Sequence, residues 1–451
     1  MTLLKNNKRL KLELFLVFLS ILFASLMEFS LLPMPFVINI QFYLLLLLVL
    51  TNYLRVRRFN LYQIWILGFI FIILSEMLIL LSDMEGQLND YRYTFFYLLM
   101  ANNSVLLGYF CFCSKKIQER KNIRVLTKSN TFIFLIIVCL LFYLYSSLTV
   151  VIKNLMSGRQ VGDVLGASSL LGIMSTAMGL ILPSLIAYYF RYVKRGSLWV
   201  SFLLVLPIFV VQLVLATRFH LLFSVIPYLI ITGFIDLAKH SFKKNVIMLL
   251  VLLTLGGVSS FLKNYRYKAL LDISIEAEDE GQNDENVTIR LAREMSPEGV
   301  VAMTQLANEY FDTHPLLYGK EISFILYFWV PRSIWPTKPT PIDHWLIRKY
   351  ERVPEGHSTA SGFTGELRAD FGIVSLFFVF FIGLLLKRGD VYIEDAFSSQ
   401  YGSYEIVLAA ILFPYVFFCI RSPLTATQSL IFELVIYKVF AMLYTKRIKI
   451  T

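Results

Sequence analysis

Apolar residues in this chain come in long unbroken runs, neither alternating in the manner of a half-buried strand nor spaced as a stripe along one face of a helix. Runs of about 18 to 24 residues, at 13–32, 35–54, 61–82, 93–113, 131–152, 168–190, 197–216, 219–237, 245–262, 371–387, 404–420 and 424–444, are separated by short polar connections. A helix needs about 20 apolar residues to cross the hydrocarbon of a bilayer, so each run predicts a spanning helix and the set predicts about twelve. The first run is followed at once by further runs, with no small-residue cleavage pattern between, and is expected to stay in the chain. The pattern thus predicts an all-α polytopic membrane protein in three parts: spans one to nine over 1–262, one large connection over 263–370, and spans ten to twelve with a short tail over 371–451.

The large connection has its own pattern. Glu276 to Asn286 carries no apolar residue but Ala277 and reads as a solvated acidic tip. Apolar positions then return at helical spacing (Ile289, Ala292, Val300, Met303, Ala307, Tyr310) around a break at Ser296-Pro297, predicting two short amphipathic helices. The apolar run Ile322 to Val330 is too short to cross a bilayer and is expected to dip into it or lie along it. Pro331, Pro336 and Pro339 follow, each fixing φ and removing a backbone donor, so the chain there must form a stiff turn presenting Arg332 and Lys338. The Ser/Thr/Gly-rich stretch from Ser358 to Gly365 reads as a loop whose backbone can approach a ligand closely.

Composition supports the membrane reading and changes the meaning of the charge. Of 451 residues 57% are hydrophobic and only 16% charged, where a soluble domain has about a quarter charged. The net charge of +11 is a topology signal with no nucleic-acid partner implied, because the basic residues fall in short connections. With the N-terminus inside, the inside segments hold Lys5 to Lys11, Arg55 to Arg58, Lys115 to Lys128, Arg191 to Arg195, Lys239 to Lys244, Lys387-Arg388 and Lys446 to Lys449. The short outside loops hold only Arg92, Lys153, Arg159, Arg218 and Arg421. By the positive-inside rule both termini are expected in the cytoplasm and the 263–370 connection outside. Cys111, Cys113, Cys139 and Cys419 lie in or beside apolar runs, which predicts neither a disulfide framework nor structural zinc. No metal-protease, paired-aspartate, nucleotide-binding or serine-hydrolase motif stands in an exposed loop, so no metal or cofactor is expected.

Tyr318-Gly319-Lys320, the turn Pro331 to Pro339, and Gly362-Phe363-Thr364-Gly365-Glu366 followed by Asp370-Phe371-Gly372 resemble bacterial Wzy-type polymerases of O-antigen and other oligosaccharide repeat units, as does the plan of about twelve spans with one large outer loop. The local motifs cover roughly 290–372. After the glutamate the chain departs from the family pattern, with Leu367-Arg368-Ala369-Asp370. The resemblance implies a membrane glycosyltransferase architecture of the GT-C kind. It also implies a substrate, oligosaccharide units linked to undecaprenyl diphosphate at the outer face of a bacterial inner membrane, with membrane lipids and a chain-length regulator as partners. The growing glycan would pass from its lipid to the end of the next unit. A ligase that moves the finished glycan to another acceptor shares this topology, and a flippase for the lipid-linked unit fits the span count, though it needs no large outer loop.

Such a reaction asks for cations beside a leaving diphosphate and a base near the attacking hydroxyl. For the cations the outer side offers Arg218, Arg290, Arg332, Lys338 and Arg421; the alternative for each is a side chain reaching to lipid headgroups or pairing with a loop acid. For the base it offers Glu366 ahead of His357, with His344 and Asp370 behind them. The acids Glu28, Glu76, Asp236, Glu405 and Glu433, with Lys438, lie within or at the ends of apolar runs and are expected to bond between helices.

Overall fold

A computed structural model describes residues 2–56, 58–83, 88–112, 122–126, 130–157, 170–214, 218–234, 299–330, 334–350, 360–398 and 403–449. The described chain is mostly helical, in keeping with an all-α membrane protein. In order it forms α1 (Thr2–Glu28), α2 (Met34–Val56), α3 (Leu61–Phe69) continuing through a π turn (Ile70–Leu74) into α4 (Ser75–Asp83), α5 (Arg92–Cys111), strand β1 (Asn122–Leu126), α6 (Asn130–Ser157), α7 (Leu170–Tyr188), α8 (Leu198–Val214) and α9 (Arg218–Thr232). After the part of the large connection outside the described residues come α10 (Val300–Thr313), α11 (Lys320–Tyr327), α12 (Ile342–Tyr350), α13 (Gly362–Phe371), α14 (Ser375–Ser398), α15 (Glu405–Arg421), α16 (Pro423–Tyr444) and strand β2 (Thr445–Lys449).

Seven helices among the described residues are long and apolar enough to cross a membrane: Lys8–Glu28, Met34–Val56, Leu61–Ser82, Arg92–Cys111, Asn130–Thr149, Gly362–Phe397 and Ala426–Tyr444. Leu198–Leu213 and His220–Thr232 are shorter apolar helices. Eleven of the twelve apolar runs coincide with described helices, and the twelfth, 245–262, lies outside the described residues. The hydropathy pattern therefore located helices well.

The tightest seam in the bundle joins α5 to α14. A Cβ on Gly108 would stand 2.0 Å from the Phe380 carbonyl oxygen, and one on Gly383 would stand 2.0 Å from that of Val105, so each helix carries a glycine where the other's backbone passes. Gly108→Ala puts a methyl against a carbonyl that cannot rotate away. It is expected to lower the melting temperature of the detergent-purified protein by an amount corresponding to roughly 1–3 kcal/mol or more. Gly196→Ala, where the nearest atom would be 3.6 Å off, is the matched control and is expected to melt normally.

The bundle has two chemically distinct ends. At one, Arg55 pairs with the buried Glu13 at 2.7 Å and Arg58 with Glu394 at 2.7 Å. The Leu61 amide and the Tyr109 hydroxyl both donate to Asp390, each at 2.7 Å. Asn60 and Gln63 cap the start of α3 reciprocally. Strands β1 and β2 pair antiparallel at this end, Ile123 opposite Ile448 and Arg124 opposite Arg447, and the Arg124 carbonyl accepts the Tyr404 amide at 2.8 Å. At the other end a second layer made by α10, α12 and α13 closes over its own small core of Met303, Ala307, Phe311, Ile342, Leu346 and Ala369. Among the described residues, basic segments around Arg55, Arg124 and Arg447 thus meet at one end, and the carboxylates described next lie at the other.

Of the acids within or at the ends of apolar runs, Glu76 and Glu433 bond between elements, whereas Glu405 accepts from the nearby Ser403 and the Oε2 of Glu28 is buried without a hydrogen-bond partner. Glu76 Oε1 accepts the Val301 and Ala302 amides at 3.0 and 3.2 Å, capping α10 from α4. Glu433 accepts the Tyr415 hydroxyl. Asp236 lies outside the described residues.

Candidate functional site

The candidate site forms where α13 passes beneath the link between α15 and α16. The stretch around Gly362, read above as a loop, is a helix from Gly362 onward, buried along its whole length to Asp370. Its hydrophobic and small residues are packed against α10, α11, α14 and α15, so burial that a loop reading could not foresee holds it helical. Gly362 stands at φ +66°, and a Cβ there would come within 2.4 Å of Val300 Cγ1 and 3.3 Å of the Ile420 carbonyl, so only glycine lets α10 and α15 close around the helix start.

Glu366 is 3% exposed. Its Oε2 accepts the Leu424 amide at the first turn of α16 at 3.2 Å, and its Oε1 stands 3.4 Å from the Ser361 hydroxyl, a long and weak contact. Two further carboxylates are close enough to repel it, Glu321 from α11 and Asp343 from α12. Glu321 Oε1 accepts the Ile342 amide at 2.9 Å, which ties α11 to the start of α12 and sets Asp343 beside it. Asp343 Oδ1 is buried without a hydrogen-bond partner, His344 Nε2 stands 3.8 Å from it, and Arg421, at the end of α15, is close enough to favour its ionised form. Arg421 also lies over the Phe418 ring at 5.4 Å.

Burial pushes Glu321 up to about 8, opposed by its bond from Ile342 and reinforced by Asp343 and Asp370. Burial also raises Asp343, against the pull of His344 and Arg421. At neutral pH Glu321 therefore holds its proton in the folded protein and gives it up in the unfolded chain, where a glutamate titrates near 4.5. The folded state binds the extra proton, so stability is expected to fall as pH rises from about 5 through 8, each tenfold change in proton affinity being worth ~1.4 kcal/mol. Glu321→Gln keeps the acceptor for Ile342 and removes the titration, and its melting temperature is expected to vary less across that pH range. An unchanged slope would show that Glu321 is already ionised in the fold.

The residues after Glu366 are occupied in holding the layer together. Asp370 Oδ1 accepts the Gly319 and Glu321 amides at 3.1 and 3.0 Å and its Oδ2 accepts that of Ile322 at 2.9 Å, so one carboxylate holds three amides at the N-terminus of α11. Arg368 is 7% exposed; it donates to Asn308 at 2.6 Å and Asp312 at 3.0 Å and lies over the Tyr93 and Tyr97 rings. Both residues join α13 to its neighbours.

The other predicted site residues fall in three groups. Glu366 and Arg421 are brought to one region. Lys338 is turned inward, its Nζ donating to the carbonyls of Phe328 at 2.8 Å and Val330 at 3.0 Å. Arg218 begins α9, but its side chain is outside the described set, and Arg290, Arg332 and His357 lie outside the described residues altogether. Sequence reading missed Glu321 and Asp343. The signals were there: Glu321 is a charged residue leading an apolar run, and Asp343 follows Pro341 at a helix start. Among the described residues no three His, Cys, Asp or Glu groups are placed to hold a metal ion. No family model, no curated protein and no solved structure matches the chain.

Proposed function

We propose that this chain is a membrane glycosyltransferase that joins undecaprenyl-diphosphate-linked oligosaccharide units into a surface polysaccharide, with its chemistry at the end of the bundle closed by α10 to α13. The observation that carries the reading is the gathering of Glu366, Glu321, Asp343 and Arg421, from four separate segments, into one largely buried region of an otherwise apolar protein. Keeping acids and an arginine at such a place is costly unless chemistry needs them there.

In this reading the basic end faces the cytoplasm, as the positive-inside rule directs, and the carboxylates face the opposite side, where lipid-linked units are presented. The acceptor sugar hydroxyl attacks the anomeric carbon of the donor, the bond from that carbon to the diphosphate oxygen breaks, and the hydroxyl proton passes to Glu366. Arg421 offsets the charge that gathers on the diphosphate, aided by Arg332 and Arg218 from segments adjoining the same end; the planar donor fork of arginine suits two phosphate oxygens at once. A lipid diphosphate is an activated donor, so the reaction needs no cofactor.

Deletion of the gene followed by electrophoresis of surface glycan tests the proposal. Single repeat units still attached to their final acceptor, with the ladder gone, are the expected result. A strain whose glycan is wholly absent points to a ligase or flippase, and an intact ladder overturns the assignment.

A further inference from the structure

The segment Lys320–Val330 looks at first like an error of folding, because it leaves a second apolar face uncovered. Helix α11 turns Glu321, Phe324 and Phe328 inward, at i, i+3 and i+7, onto α13 and α16. Its other side shows Ile322, Leu326 and Trp329, at i, i+4 and i+7, and the turn after it adds Ile334 and Trp335. Leu326 is 74% exposed and Ile334 75%. A contiguous apolar patch of this kind does not face water in a stable protein without a partner to cover it.

The polar groups of the same segment show what kind of surroundings it is built for. A helix of eight residues has nearly all its backbone groups at its ends, and in water most of these would simply be hydrated. Here they are met from within the chain. Asp370 takes the amides of Gly319, Glu321 and Ile322, and the Ser323 amide bonds the Gly319 carbonyl. At the other end the Trp329 indole donates to the Leu326 carbonyl at 2.7 Å, the Val330 amide to that of Tyr327, and the Lys338 ammonium to those of Phe328 and Val330. Most of the terminal backbone groups of this segment are thus met internally, which is what non-spanning backbone inside hydrocarbon requires, where no water can do it.

Depth is set by a third contact. Phe328 meets Phe432 edge-on at 5.6 Å, and Phe432 lies nine residues along α16 from Pro423, roughly 13 Å below the start of that helix at 1.5 Å per residue. Lower on α16, Val435, Val439, Met442 and Leu443 are exposed in the manner of a lipid-facing surface. Phe432 itself lies within the apolar span Ala426–Tyr444, so the contact sets Phe328, and with it the end of α11, at the depth of a membrane-spanning helix.

We infer that Lys320–Val330 is a re-entrant element whose outer face, Ile322, Leu326 and Trp329, is covered by the acyl chains of one bilayer leaflet. Lys338 and Asp370 then serve as the internal caps that let it enter hydrocarbon. The inference does not rest on the glycosyltransferase reading; it stands for any activity at this end of the bundle.

Spin labelling tests it on the full-length protein in phosphatidylcholine nanodiscs. In a background with the four native cysteines replaced, Leu326→Cys and, separately, Ile322→Cys carry the label, and Thr313→Cys, exposed on α10, is the aqueous control. The expected result is a collision rate with oxygen several-fold above that with a water-soluble nickel complex at 322 and 326, and the reverse at 313. Nickel access at 322 and 326 equal to that at 313 would place the face in water and overturn the inference. So would shielding from both reagents, which would mean that a second copy of the chain covers it. If one labelled variant does not assemble, the other carries the same test.

Discussion

Glu366→Gln is expected to abolish the glycan ladder in a strain whose protein level is normal, leaving single repeat units on the surface. A general base contributes about 10²–10⁴-fold to a rate, enough to take polymer below detection on a gel. The amide is chosen because its Oε1 still accepts the Leu424 amide, so the bond that links α13 to α16 survives while the proton acceptor is lost. This separates the catalytic role from the structural one, which is a real competitor: a buried carboxylate at the first turn of a helix is a good cap in its own right. Glu366→Ala removes both functions and is expected to reduce folded protein as well. A full ladder from the glutamine variant would leave Glu366 as a cap alone and return the role of base to His357.

Asp370→Ala is expected to be the most damaging single substitution to folding. It strips the acceptor from three amides at once, the buried one of Glu321 and the half-buried ones of Gly319 and Ile322. Each unsatisfied buried amide costs about 1–3 kcal/mol, and the sum is comparable to the whole stability of an ordinary domain. Fluorescence-detected size-exclusion chromatography of the solubilised protein should show little monodisperse material. Asp370→Asn retains one oxygen acceptor and is expected to fall between the two. An alanine variant that elutes and melts as the native protein does would show that α11 is held by its side-chain packing without the cap.

How far the fold could be read from the sequence depended on how much of each element's environment is written locally. Spanning runs carry their own signal, because a bilayer rewards apolar length wherever it occurs; the boundaries are less legible, as in 13–32 for what is Thr2–Glu28, where the polar and basic first turns continue the helix beyond the apolar run. The helix Gly362–Phe371 was missed because glycine, serine and threonine speak locally for a loop, whereas its helicity comes from enclosure by segments distant in sequence. Strands β1 and β2 were missed for a like reason: each is half of a pair whose other half lies at the far end of the chain. For the site, chemistry by residue type pointed to Glu366 and Arg421. It could not give Glu321 and Asp343, whose importance is a matter of who stands beside them. Nor could it tell that Asp370, weighed as a base, has both its oxygens occupied by amides.

The pairing of Asn122–Leu126 with Thr445–Lys449 also bears on how the protein is made. A ribbon joining these two stretches cannot form while the first of them is leaving the ribosome, since its partner follows α16. Throughout insertion of α6 to α16 the connection after α5 waits with a free strand edge. The same holds for the α5–α14 seam, where Gly108 must keep its place for a helix translated much later. These two contacts thus close late, after the early spans have packed on one another. A ribosome-arrested chain ending before α14 should for that reason be more open to protease than the completed protein.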